Sequence, residues 1–455
     1  MTFDFASRSG SPPTKSFSQR CNDLLDHALA QVPAYWTWKP LDRGLSVSVD
    51  ERFRALPALT KREMNLLGPA AFVSPGRSLE EALRAGQVDL VATSGTTEDK
   101  IVNVWDQAWW DASERASWQL NAHAARLATG THREAILSNP LNVGVVATKE
   151  LPFEQRRLAR FLYLNELADP LAWTDRHCER MLRELDEYRP DVLEANPSLL
   201  SRLCRYALRA GRRAYRPGLI ALTYEMPSAI HRRHLEQVFG APVMSSYGTT
   251  EAGYVFIECE HGRLHQNVEK CRVDFLPFRD GCGGPAVGKL LVTTFDNPWR
   301  TLVRFDVGDL GRLANGPCPC GRSEGLTLSA IEGRTVNLTL TPEGVPVTQA
   351  VVDRRLAAIR AIDEYQLRQS DPRTYELKVC CDRGFDADVA RQARQALAEI
   401  YGPGARTAVE EARDLPPEAS GKYRLVKPLF PVDANAFVAA EALPPPFPLP
   451  APQEC

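Results

Sequence analysis

The stretch Val91-Ala92-Thr93-Ser94-Gly95-Thr96-Thr97-Glu98-Asp99-Lys100 continues the mostly apolar Val88-Asp89-Leu90 and then changes to hydroxyls, a glycine and a lysine. It reads as a strand running into a polyphosphate loop. Small hydroxyl donors and a glycine let backbone N–H groups approach phosphate oxygens, and Lys100 adds charge. The same residues also suit a solvated Ser/Thr turn, so the reading depends on what accompanies the stretch. The spacing G-x-x-x-x-G-K-[ST] of a P-loop is absent.

Outward from this stretch, Ile101 to Trp105 alternates as a strand, and Gln107 to Ala128 has helical composition with Trp105, Trp109 and Trp118 read as core. The segment from about Ser16 to Leu83 reads as a helical lead-in broken by prolines. Ala135–Leu137, Val143–Ala147, Val192–Ala195 and Pro217–Thr223 read as short buried strands. Between or after them come helices over Arg176–Tyr188, Leu199–Ala210 and Ser228–Phe239. Strand, loop and helix alternating in this way argue for open, mostly parallel sheets with ligand loops at the carboxyl ends of the strands. From about Cys271 to Arg312 the pattern turns to β, with strands over Lys289–Thr294 and Leu302–Phe305. The expected fold is thus α/β and α+β: a large N-terminal domain of mixed sheets flanked by helices with a β-rich subdomain (1–334), then a small mobile α+β domain (335–431). A proline-rich tail (432–455) is expected to be extended and mobile.

The chain has 455 residues, 44% of them hydrophobic, enough for large cores and more than one domain. With 55 Lys+Arg against 57 Asp+Glu, charge gives no reason to expect nucleic acid or an anionic membrane as partner. Small molecules become the default ligand. The polar segment Met1 to Lys15 has no apolar h-region and no apolar run reaches ~20 residues, so a cytoplasmic protein is expected. Eleven scattered cysteines point to thiols or a metal site rather than a disulfide framework. Cys259-x₅-His265 and Cys318-Pro319-Cys320 are two soft-ligand pairs suited to a closed tetrahedral Zn²⁺ site, with His261, Cys271 and Cys282 as neighbouring alternatives.

Four further stretches carry chemistry. Ser245-Ser246-Tyr247-Gly248-Thr249-Thr250-Glu251 combines a ring that can lie on a purine, hydroxyls for phosphate and a carboxylate for Mg²⁺. In Arg304-Phe305-Asp306-Val307-Gly308-Asp309 an acid after a glycine can take both hydroxyls of a ribose. Ile331-Glu332-Gly333-Arg334 lies where the β-rich part gives way to the small unit, and Ser420-Gly421-Lys422-Tyr423-Arg424 places a lysine in a glycine-containing loop.

In this order the five stretches resemble the adenylate-forming superfamily of acyl-CoA synthetases, firefly luciferase and nonribosomal peptide synthetase adenylation domains, over about 88–428. The nearest likeness is to phenylacetate:CoA ligase and its relatives, which carry a similar Cys/His plus Cys-x-Cys arrangement around a structural metal. The resemblance implies that Thr93, Ser94, Gly95, Thr96 and Thr97 bind ATP phosphates. It implies that Tyr247 faces the adenine, Thr250 a phosphate and Glu251 the Mg²⁺, with Gly248 and Thr249 also among the ATP/AMP-binding residues. Glu225, with Tyr224, falls where the family has its adenine strand; Asp309 and Arg334 would hold the ribose. Lys422 would bridge the substrate carboxylate and the α-phosphate, and Cys259, His265, Cys318 and Cys320 would bind zinc.

Two departures stand out. Glu98-Asp99-Lys100 replaces the family's Gly-x-Pro-Lys, and Thr335 follows Arg334 where an acidic hinge residue is usual. The implied activity is formation of an acyl-adenylate from ATP and a carboxylic acid, an aromatic one by family likeness. The acyl group then passes to coenzyme A or a carrier-protein phosphopantetheine. Amide formation with an amine, or a silent nucleotide-binding scaffold, are the alternatives.

Overall fold

The computed structural model describes residues 15–92, 101–140, 147, 149–418 and 421–448. The strand expected before the hydroxyl loop is β1 (Asp89–Ala92), which pairs antiparallel with β2 (Val102–Trp105), Ala92 facing Val102. The loop between them, with Thr93, Ser94, Gly95, Thr96 and Thr97, lies outside the described residues, as does most of the strand expected at 143–147.

Beyond the hairpin the chain builds β3 (Glu134–Leu137), β4 (Arg157–Leu158), β5 (Phe161–Tyr163), β6 (Val192–Ala195), β7 (Leu219–Leu222) and β8 (Val243–Thr249). It continues through β9 (Gly253–Glu258), β10 (Leu264–Gln266), β11 (Cys271–Pro277), β12 (Val287–Thr294), β13 (Phe305–Leu313) and β14 (Thr327–Arg334). All twelve from β3 to β14 join one sheet, ordered β11-β12-β13-β14-β10-β9-β8-β7-β6-β3-β5-β4. From β5 to β8 neighbours run parallel; from β8 to β11 the hydrogen-bonded pairs are antiparallel.

The parallel half follows from its sequence. Its strands are short apolar runs such as Leu219–Leu222, buried at every position because helices cover them. The helices Asp175–Tyr188, Pro197–Arg209 and Ala229–Val238 start where expected, with Thr174, Asn196 and Ser228 accepting backbone N–H bonds of the first turn. Leu182, Leu185, Leu200 and Leu203 fill the space between helices and strands. Trp109 and Trp118 are buried as expected. One expected strand starts late: Leu302–Arg304 precede β13, because Arg304 has a φ of +51° and its carbonyl is taken by the Leu59 N–H.

The small unit contains β15 (Thr339–Leu340), β16 (Pro346–Val347), β17 (Glu364–Asp371), β18 (Thr374–Cys380), β19 (Arg406–Glu411) and β20 (Val426–Pro428). Its four-stranded sheet, β19-β18-β17-β20, is backed by the helices Gln349–Ala357 and Ala387–Tyr401. Ile230, from the large unit, belongs to the same apolar cluster as Leu367, Val379 and Leu397. The proline-containing segment from 432 to 448 returns to the large unit. There Phe437 packs on Phe278 with ring centroids 6.0 Å apart, and Phe447 on Trp38 at 5.6 Å.

Candidate active site

Three of the singled-out stretches meet at the β8 end of the parallel half. The β8–β9 turn carries Tyr247 to Glu251. Gly248 is required there, because a Cβ would stand 2.6 Å from the Gly253 carbonyl oxygen. The Thr249 hydroxyl accepts the Ala252 N–H at 3.0 Å and closes the turn. Asp309 is not in a turn but within β13, directly opposite Arg334 at the end of β14. The Tyr247 hydroxyl donates to Asp309 Oδ2 at 2.7 Å, and Arg334 Nε lies 3.6 Å from Oδ1. Burial raises the Asp309 carboxyl above the ordinary value, opposed by the Arg334 charge.

The fourth stretch arrives from the small unit. Gly421 has φ +77°, and a Cβ on it would lie 2.2 Å from Asn139 Nδ2, so the loop carrying Lys422 touches the end of β3 through bare backbone. Burial and the Arg334 charge lower the Lys422 ammonium, while Glu225, Asp309 and Glu251 pull it up. One lysine from the small unit thus shares a field with three carboxylates and an arginine of the large unit. Glu225 lies differently from the other nucleotide candidates: its Oε2 accepts the Ser198 hydroxyl at 2.7 Å and its Oε1 accepts the Tyr423 N–H at 2.8 Å. Its carboxylate ties down the backbone next to Lys422.

Glu251 is 5% exposed and lies 3.8 Å from Lys61 Nζ, at the start of the helix Lys61–Leu67. Neither Lys61 nor the buried Arg300 stood out in the sequence. A lysine in a first helical turn and an arginine in a loop have no local signature, and their places are set by contacts over nearly 200 positions.

The structure gathers Cys259, His265, Cys318 and Cys320 so that their ligand atoms lie within 4.8 Å of one another. Cys259 and Cys318 sulfurs are 3.6 Å apart, and Cys320 Sγ is 3.2 Å from His265 Nε2. A tetrahedral zinc with Zn–S near 2.3 Å and Zn–N near 2.05 Å sets these separations at about 3.8 and ~3.5 Å, so the donor set fits a closed site. Thr327 Oγ1 lies 3.3 Å from His265 Nδ1 and orients the ring. Of the alternatives, His261 contributes its backbone N–H to the Cys259 sulfur, and the Cys271 thiol faces the Asn267 carbonyl.

Among the described residues no helix is long and apolar enough to cross a membrane. No family model and no curated protein matches the sequence. Solved structures do match in fold. A 2-hydroxyisobutyryl-CoA ligase in the postadenylation state, in complex with 2-HIB-AMP, superposes with a TM-score of 0.64 at 17% identity over 96% of each chain. The same ligase in the thioesterification state, with 2-HIB-AMP and CoA, gives 0.52 at 16% identity over 94% of each chain. The amide bond synthetase McbA from Marinactinospora thermotolerans gives 0.50 at 18% identity, over 84% of this chain and 82% of its own. The chain therefore has the fold of the adenylate-forming ligases.

Proposed function

We propose that the chain is an ATP-dependent ligase that joins a carboxylic acid to AMP, releases pyrophosphate and passes the acyl group to a thiol. The observation that carries this reading is the convergence of Lys422 with Glu225, Asp309, Arg334 and Glu251 from separate elements of both units. A carboxylate attacking the α-phosphorus brings two anions together. Lys422 supplies the cation at that point and, being partly desolvated, acts in a medium where charge counts for more. Tyr247 and Gly248 border the adenine, and Asp309, oriented by the Tyr247 hydroxyl, takes the ribose with Arg334. Thr249, Thr250 and the stretch Thr93 to Thr97, the latter on sequence resemblance alone, are the proposed phosphate ligands. Glu251 is the Mg²⁺ ligand; one carboxylate alongside phosphate oxygens suits that ion, which neutralises the departing pyrophosphate when bound. Cys259, His265, Cys318 and Cys320 hold a structural zinc, and the expected outcome is about one zinc per chain in purified protein, lost in Cys318→Ser.

The acid is proposed to be aromatic and the acceptor coenzyme A or a carrier protein, in a cytoplasmic setting, on the family likeness of the phenylacetate:CoA ligase branch. Thr335 donates its hydroxyl to the Gly308 carbonyl where the family has an acidic hinge residue, and an amine acceptor is the second reading. A coenzyme A requirement separates the two. The deciding measurement is ATP–pyrophosphate exchange over aryl, aliphatic and amino acids. Exchange with one class, reduced on the order of 10²- to 10³-fold in Lys422→Ala, supports the ligase. Equal exchange in wild type and Lys422→Ala sinks the assignment of the lysine, and silence across the panel sinks the ligase.

A further inference from the structure

Arg300 is 4% exposed and follows β12 on the way to β13. Among the described residues the other six buried arginines, Arg52, Arg156, Arg180, Arg205, Arg272 and Arg304, each lie within 3.8 Å of a carboxylate oxygen. With the described residues Arg300 forms no such ion pair. Its Nη1 donates to Asn103 Oδ1 at 2.5 Å and its Nη2 to the Thr250 carbonyl at 3.0 Å, while Nε is buried and unbonded. The adjoining cavity of about 120 Å³ is walled chiefly by apolar groups, among them Met64, Phe72, Val102 and Val104. A buried guanidinium without a counter-anion is costly to the free protein. Burial moves it down to about 10, and Glu251 is the carboxylate whose charge opposes that.

The two bonds explain why the charge is kept. Thr250 immediately precedes Glu251, and Asn103 lies in β2 just beyond the hydroxyl loop. We propose that Arg300 is a positioning residue for the nucleotide: it locks the Glu251 turn to the β1–β2 hairpin and leaves a buried positive charge that the polyphosphate completes. This rests on the ATP reading. A protein carboxylate in the same place would satisfy Arg300 permanently and oppose the triphosphate.

Two variants test it in the full-length chain, read by the rise in Tm on adding MgATP and by KM for ATP and for the acid in pyrophosphate exchange. Arg300→Gln should raise KM for ATP about 10- to 100-fold, the loss of one buried charge interaction, with KM for the acid within about twofold. Asn103→Asp keeps the hydrogen bond and supplies the missing anion. It should raise the Tm of the free protein yet weaken MgATP about 10-fold. If Arg300 merely braced the fold, Asn103→Asp would leave ATP affinity unchanged or improved, and Arg300→Gln would disturb both substrates equally; either result overturns the proposal. Wild-type protein that binds MgATP but exchanges no pyrophosphate would sink the ligase reading alone, with Arg300 still judged by binding. Failure of the wild type to bind MgATP overturns both.

Discussion

Among the contacts between the small unit and the large one, two differ in character. At the Lys422 loop the contact is backbone and close fit: Gly421 against Asn139, and the Tyr423 N–H on Glu225. Along the helix Pro197–Arg209 and at Ala229 the partners are carboxyl groups of the small unit. Arg205 donates to Asp382 at 2.6 Å and to Glu364 at 2.8 Å, Arg202 reaches Asp414, and the Ala229 N–H donates to Asp353 at 2.7 Å. Charged pairs on long side chains supply attraction and choose an orientation, but they tolerate small shifts. A bare-backbone approach supplies little attraction and tolerates almost none. The ionic face therefore brings the unit in, and the loop sets where Lys422 stands.

If that division holds, the loop should be the more sensitive side for chemistry. Gly421→Ala places a Cβ 2.2 Å from Asn139 Nδ2 in a left-handed backbone. Adenylation should fall roughly 10²-fold, the effect of about 1 Å of misplacement, with Tm nearly unchanged. Adding Asn139→Ala should restore part of it. A Gly421→Ala enzyme with wild-type exchange rates would remove the steric half of the comparison.

Arg205→Ala attacks the other face. It strands Glu364 and Asp382, and breaking a buried pair by removing one partner costs about 3–5 kcal/mol; the partial exposure of Asp382 reduces this. Amide hydrogen exchange should rise across the small unit, and adenylation should drop about tenfold while KM for ATP changes little. Uniform exchange in both units, with activity intact, would show that the ionic face is decoration.

The smallest effect is a pH slope. Burial pushes the Asp353 carboxyl up to about 6, above the usual value, so the folded chain holds this proton more tightly than the unfolded one. Its contribution is fully present below about pH 4 and is lost as pH rises through 6. Asp353→Asn should flatten the Tm-against-pH curve in that window, since an amide oxygen still accepts the Ala229 N–H. An unchanged slope would put the titration elsewhere.

The parts that could be read in advance share one property: their chemistry is local. Ser245 to Glu251, Gly308-Asp309 and Gly421-Lys422 each hold their candidate groups within a few residues: the first at the end of β8, the second inside β13 and the third in the loop before β20. The Cys/His pairs were legible because each half of the clamp is a short string. Even so, Leu302–Arg304 was misread as strand, since nothing local announces the left-handed backbone of Arg304. Glu225 carried a family position, but its contact with Tyr423 spans 198 residues.

The sequence by itself determined the alternation of strand and helix, the small C-terminal unit and the residue types that the proposed adenylation would use, because apolar periodicity, caps and short motifs act over one or two turns of chain. Tertiary structure alone decided that Asp309 faces Arg334 across β13 and β14, that Glu225 grips the lysine loop, and that the buried Arg300 bonds Asn103 and the Thr250 carbonyl beside Glu251. Those facts depend on which distant surfaces exclude water together, and burial is a property of the assembled fold.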